Sequence, residues 1–389
     1  MSQNGQVTNP FALFPRPAVG DRRTLKWQAY PPDVLPLWVA EMDTTLPEPV
    51  RDAVVAAVER GEVGYPWGRS YPDALAAFAA TEWGWSLDPS VLRHTTDVMT
   101  GMAAVIRVVT PPDGTVIITP PVYPPFLDLP AVTGRPVRFA PLDPDGRLDS
   151  DGLAEVLAGC RRDGSAPTVL LCNPHNPTGA AHTRPELETL AATAAEFGAR
   201  VVVDEIHAPL VHPPATFVPY LTVAGSQTAY AIHSASKAFN LPGLKAALIV
   251  PGDGAVAEIT AALPGSVDHS ASSAGILAHT VALTEGRSWL AAHRAGLVEN
   301  RDLLAALLAD RLPQVVWRPP EATYLAWLDC RGLRLDGEPA AVFLDRARVA
   351  VNDGRAFGPG GGGHVRLNFA TSPEILREAV DRMAAVVDG

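Results

Sequence analysis

Four clusters of this chain hold side chains able to do acid, base or nucleophilic work. Asn173-Pro-His-Asn176-Pro-Thr-Gly179 carries amides and an imidazole, and Asp204-Glu205-Ile206-His207 carries carboxyls and an imidazole. Ser234-Ala-Ser236-Lys237 carries hydroxyls and an amine, and Arg366 interrupts the apolar run Val365–Phe369. Each of the first three follows a short apolar run: Thr168–Cys172, Arg200–Val203 and Thr228–Ile232 respectively. In an open parallel sheet, ligands bind outside the carboxyl ends of the strands. Three polar clusters at such ends therefore point to one cavity.

The ordinary fate of a lysine is a solvated surface. Lys237 instead lies just past an apolar strand in a segment with little other charge, where partial desolvation lowers its pKa and frees the amine for imine formation. Asp204 ends an unbroken apolar strand. It serves either as a helix cap or as a buried carboxylate, which needs a cation such as a protonated pyridine nitrogen. Asp204, Glu205, His207 and His212 offer a rival metal-binding reading, but their spacing matches no familiar ligand pattern such as H-E-x-x-H. Thr100-Gly101-Met102-Ala103 opens a helical run over 103–109, and the N–H groups at a helix start suit an anion. Ser234, Ser236 and Lys245 would add hydroxyl and ammonium contacts to the same phosphate. Tyr123, fixed between prolines in 120–125, either stacks on a planar ring or packs in the core. Arg366 forms either a structural salt bridge or a bidentate clamp on a substrate carboxylate.

These groups must be positioned by a scaffold. Strands are expected at 115–119, 168–172, 200–204, 228–233 and 246–250, with a helix over 185–197 that Gly198 terminates. Strand, helix, strand implies a right-handed parallel crossover, and runs such as Val201-Val202-Val203 suit a sheet covered on both faces. The fold class is α/β with a large doubly wound, mostly parallel sheet. Ahead of it, residues 1–46 read as an extended arm whose prolines forbid long helices. Helices follow over about 48–60, with Val50, Ala53, Val54, Ala57 and Val58 on one face, and over about 72–83. A long helix from Arg287 to about Leu312 leads into a C-terminal part. That part has strands at 323–328 and 364–369, a helix near 339–348, and a last helix capped by Ser372 with Pro373 in its first turn. The expected domains are an arm (1–47) joining a small α+β domain (286–389), and a large domain (48–285). Gly358–Gly363 (GPGGGG) lacks a following Lys-Ser/Thr and reads as a flexible loop.

Composition narrows the class. With 389 residues, 47% hydrophobic and 19% charged, a sizeable core is expected. A net charge of −11 argues against a polyanion binder, since phosphate backbones need a basic footprint, but leaves room for a small anionic cofactor. Cys160, Cys172 and Cys330 are odd in number and form no C-x-x-C pair, which fits a reducing, cytoplasmic setting. The polar stretch Met1–Pro10 lacks the apolar run of a signal peptide.

The ordered set Asn173–Gly179, Val203–His207, Ser234–Lys245 and Arg366-Leu-Asn resembles the fold-type I pyridoxal 5′-phosphate enzymes of aminotransferase class I/II, across nearly the whole chain. The resemblance implies that Lys237 is the Schiff-base lysine and the group that moves the Cα proton, and that Asp204 pairs with the pyridinium nitrogen. It places Asn176 and His207 at the ring's phenolic oxygen, His207 standing where many relatives have tyrosine. Gly101, Met102, Ser234 and Lys245 would hold phosphate, Lys245 replacing a frequent arginine, and Tyr123 would stack on the ring. Tyr65, in Gly-Tyr-Pro-Trp-Gly, would reach the phosphate of a neighbouring subunit, making a homodimer. Leu35–Asp43, Gly64-Tyr65 and Asp-Glu-Ile-His are most similar to the bacterial cystathionine β-lyases of the maltose-regulon-modulator type. That implies β-elimination from cysteine S-conjugates, giving thiol, pyruvate and ammonia. An aminotransferase is the nearest alternative, and a regulatory role that uses the same fold to bind a partner could coexist with either.

Overall fold

The computed structural model describes residues 9–388, so Met1–Thr8 of the polar N-terminal stretch lie outside the described residues. Among the described residues the arm holds one-turn helices at Pro10–Leu13, Arg16–Val19 and Leu25–Gln28, and strand β1 (Leu35–Pro36). The large sheet comprises β2 (Arg93–Thr95), β3 (Thr115–Ile118), β4 (Val137–Phe139), β5 (Pro167–Cys172), β6 (Arg200–Asp204), β7 (Tyr230–His233) and β8 (Ala247–Pro251). The C-terminal part adds β9 (Val316–Trp317), β10 (Leu325–Asp329), β11 (Val349–Ala350), β12 (Asn352–Asp353) and β13 (His364–Asn368).

The seven large-sheet strands run in the order β2-β8-β7-β6-β5-β3-β4. Pairing is parallel from β4 through β7, and β8 is antiparallel to both of its neighbours. Side chains alternate across the sheet, and the two faces build separate cores. Val169, Leu171, Val201, Val203 and Ala231 face one core; Leu170, Cys172, Val202 and Ile232 face the other. Burying a valine or isoleucine in such a layer contributes about 1.5–3 kcal/mol. The same alternation puts Asp204 on the face of Val202, level with Cys172, its register partner on β5.

Local signals explain the element ends. The helix Arg184–Phe197 opens with a capping box between Thr183 and Glu186 and closes at Gly198 in the left-handed region. The helix Glu48–Glu59 buries Val50 and Ala57 against the helix Ser273–Glu285, whereas Val58, expected on its apolar face, is 59% exposed. Ser372 Oγ accepts from Ile375 N at 3.2 Å, capping the helix Pro373–Asp388. In the smaller sheet, ordered β12-β13-β10-β9, Arg366 lies on an inner strand. The arm joins this region through β1, which pairs in parallel with β11. The glycine stretch 358–363 folds into a turn so close that a Cβ on Gly361 would sit 1.9 Å from Gly354 O.

Candidate active site

The polar ends of β5, β6 and β7 meet in one cavity of about 130 Å³ whose walls include Tyr123, Asn176, Asp204, His207, Ser234 and Lys237. Lys245 stands at its edge with Pro242 and Leu244, and the backbone of Ala40 from the arm closes one side. Thus eight of the positions singled out from sequence line one space, while Arg366 sits directly behind Asn176 and Tyr65 lies elsewhere.

Lys237 follows β7 by one turn, and its Nζ donates to Ala40 O at 3.0 Å. Burial pulls its pKa down to about 8, helped by the Arg366 cation and opposed by Asp204. Asp204 is 3% exposed, and its Oδ1 accepts from Ile206 N at 2.9 Å. Burial raises its pKa to about 7. Among the described residues no cation forms a salt bridge with it. Burial likewise holds the His207 ring neutral, with a pKa near 3, and its Nδ1 has no partner among the described residues.

Arg366 is the site's most telling group. It is 4% exposed, yet its partners are neutral: Asn176 Oδ1 at 2.9 Å, Trp38 O at 3.0 Å and Asn352 Oδ1 at 2.6 Å. Its Nε has no partner among the described residues. The structural salt bridge allowed by sequence is therefore not made. Burial draws the guanidinium down to about 10, and a buried cation without a counter-ion is costly unless a ligand supplies the charge.

Two expected phosphate groups need correction. The helix begins at Val98, not near Ala103, with Asp97 as its cap. Gly101 N is already bonded to Asp97 O at 2.9 Å, and Met102 is buried in the core. The free first-turn N–H groups belong to Val98 and Met99, both in the cavity wall. Gly101 is required by packing, since a Cβ there would lie 2.9 Å from Thr95 Cγ2. Ser234 Oγ is committed to Ala246 O at 2.8 Å, and Lys245 Nζ pairs with Asp97 Oδ2 at 3.2 Å. The rival metal set disperses: Glu205 turns to His233 at 2.7 Å and His212 to Thr323 O at 2.6 Å.

Sequence reasoning missed the Ala40 carbonyl, Tyr324 and Asn352. The Tyr324 hydroxyl donates to Ala40 O at 3.0 Å, so that oxygen serves both Tyr324 and Lys237. Cys172, also in the wall, has its thiol pushed well up by burial.

A mostly parallel sheet with an amine and a buried carboxyl lining one cavity, and a guanidinium behind its Asn176 wall, marks the class. The chain belongs to the aminotransferase class I and II family, whose model matches residues 46–383. The family is pyridoxal-phosphate dependent. A Mycobacterium tuberculosis protein with a provisional cystathionine beta-lyase name is 49% identical, the match covering 97% of this chain and 98% of that one. The cystathionine beta-lyase of Corynebacterium glutamicum is 36% identical over 94% of this chain and 97% of its own. A solved Corynebacterium diphtheriae structure, provisionally a PLP-dependent beta-cystathionase, superposes with a TM-score of 0.90 at 37% identity, covering 97% of this chain and 99% of that one. No helix among the described residues is long and apolar enough to cross a membrane.

Proposed function

We propose that this chain is a pyridoxal-phosphate-dependent carbon–sulfur β-lyase that cleaves cystathionine or other cysteine S-conjugates to thiol, pyruvate and ammonia. The observation that carries the reading is the set of charges left without partners around one cavity. Among the described residues Asp204 has no cation and Arg366 no anion as partner, and the cofactor's ring nitrogen and an amino acid's carboxylate are the complementary charges. The relatives named as cystathionine beta-lyases support the reaction class.

The donor set fits the cofactor. Lys237 would carry it covalently, Asp204 would face its ring nitrogen, and Asn176 and His207 would lie at its phenolic oxygen. Tyr123 would cover the ring, while Val98 N, Met99 N and Ser236 would hold phosphate, joined by Ser234 and Lys245 on exchanging Ala246 O and Asp97 for it. When bound, pyridoxal phosphate supplies an electron sink for the charge left at Cα.

The residues do the rest. Arg366 binds the substrate carboxylate and so orients the Cα–H bond. Once released by substrate, the Lys237 amine, already depressed towards neutrality, takes the Cα proton and can return a proton to the departing sulfur. Asp204, charged when it faces a cation, keeps that cation in place.

The protein is proposed to act as a homodimer in which Tyr65 reaches the neighbouring site. Tyr65 is 90% exposed and Trp67 99%, beside exposed Val55, Val58 and Val63. Exposed apolar side chains of this kind are what a subunit interface would cover. An arm at 1–47, a large domain at 48–285 and a small domain at 286–389 remain the proposed division.

The test is incubation of the purified protein with cystathionine and with S-alkyl cysteines, without any keto acid. Pyruvate and free thiol in equal amounts are expected. Turnover only when a keto acid is added would replace the reading with transamination.

A further inference from the structure

Ala40 O is a backbone carbonyl held at the cavity by an unusual amount of side-chain bonding. Asn368 Nδ2 donates to Val39 O at 2.7 Å and to Glu41 O at 2.8 Å. Asn240 grips Met42 from both sides, accepting from its N at 2.9 Å and donating to its O at 3.0 Å. To do so Asn240 adopts a φ of 57°, in the left-handed region that asparagine tolerates better than most residues. Asp43, fully buried, accepts from Lys26 Nζ and from Trp27 Nε1, each at 2.8 Å. Residues 39–43 are thus pinned on every side, and the one carbonyl they leave facing Lys237 is Ala40 O.

That oxygen has two donors, Lys237 Nζ at 3.0 Å and Tyr324 Oη at 3.0 Å. Tyr324 is 1% exposed and comes from the strand-bearing C-terminal part, across the site from Lys237. Its ring also meets His207 edge-on, with centroids 6.2 Å apart, so the hydroxyl is held rather than free to turn away.

We propose that Tyr324 is a positioning residue that sets the proton affinity of the Lys237 amine through the shared Ala40 carbonyl. The proposal rests on reading Lys237 as the cofactor-carrying lysine. A carbonyl already accepting from a hydroxyl is a weaker acceptor for an ammonium, which favours the neutral amine, the form that can take a proton from Cα. Other groups near the amine are Arg366 and Lys245, which oppose its charge, and Asp204 and Glu41, which favour it.

Tyr324→Phe removes the competing donor and leaves the ring. The Lys237 pKa should rise by about half a pH unit or more, the scale of one neutral hydrogen bond. The direct readout is the apoprotein, reductively methylated with labelled formaldehyde and titrated by NMR, the Lys237 signal being assigned by its loss in Lys237→Ala. The acid limb of kcat for β-elimination, which reports the Lys237 amine after substrate has released it, should move to higher pH in the same direction, while Tm changes little. Incorporation of 3-fluorotyrosine at Tyr324, a stronger donor, should move both readouts down, and it decides the matter if Tyr324→Phe does not fold. A Lys237 titration that stays in place, or moves the other way, in whichever variant folds overturns the proposal. Failure of the wild-type protein to bind pyridoxal phosphate at all would overturn the underlying reading instead.

Discussion

Replacing Arg366 with glutamine tests whether its missing counter-ion is a substrate carboxylate. A guanidinium has five N–H donors, and three go to Asn176, Trp38 and Asn352. Nε and one terminal N–H are left. Hydrogen bonds to charged groups contribute about 1.5–3 kcal/mol each. Losing both from the transition state should therefore lower kcat/KM by about 10²-fold to 10⁴-fold. Glutamine can still meet the Asn176 and Asn352 amides, and the change removes a desolvated, unpaired cation, so folding should be little affected. The assay is pyruvate release from an S-alkyl cysteine, coupled to lactate dehydrogenase, with the cofactor spectrum recorded on the same sample. Wild-type-like cofactor binding with a large loss of kcat/KM is expected. Arg366→Lys, which keeps the charge but not the fork, should fall between. If Arg366→Gln stays within threefold of wild type, the carboxylate clamp is refuted.

Three further outcomes follow from the same geometry. Asp204→Asn should weaken cofactor affinity by about 10-fold to 150-fold, one charge-assisted bond, measured by fluorescence titration of the apoprotein; unchanged affinity would remove Asp204 from the ring nitrogen. The apoprotein should be destabilised by Lys237 at neutral pH. Its folded pKa near 8 lies below the ordinary 10.5. The folded state therefore loses its proton first, and stability rises as pH climbs through that window. Lys237→Met apoprotein should exceed wild type by about 3 kcal/mol at pH 7, with the gap closing above pH 10, as urea melts would reveal. For the dimer, mixing inactive Tyr65→Ala with inactive Lys237→Ala should restore about a quarter of wild-type activity, because half the dimers are hybrids with one intact site; no recovery after confirmed subunit exchange would refute a shared site.

Much of the scaffold was legible because its strands are buried on both faces. Val201–Val203 leaves no polar position, so the strand and the polar residue that ends it stand out together. The edge strands did not. β2 is Arg-His-Thr, and Val137 and Phe139 on β4 are 41% and 39% exposed, so neither carries an apolar run. The same contrast divides the site. Asp204, Lys237 and Asn176 are side chains at strand ends, and their types announce chemistry. Ala40 acts through its carbonyl, which no side chain signals. Tyr324 reads from sequence as one more aromatic in an apolar strand. The phosphate groups were misplaced because Gly101 drew attention from Asp97, the residue that caps the helix. Val58 was misplaced because an apolar stripe does not say whether its neighbour lies within the chain.

The central claim is that Lys237 carries the cofactor. Holoprotein reduced with borohydride and digested should yield one peptide bearing a phosphopyridoxyl group, and fragmentation should place it on Lys237. A modified peptide centred on any other lysine, or none at all from protein supplied with pyridoxal phosphate, would contradict the account.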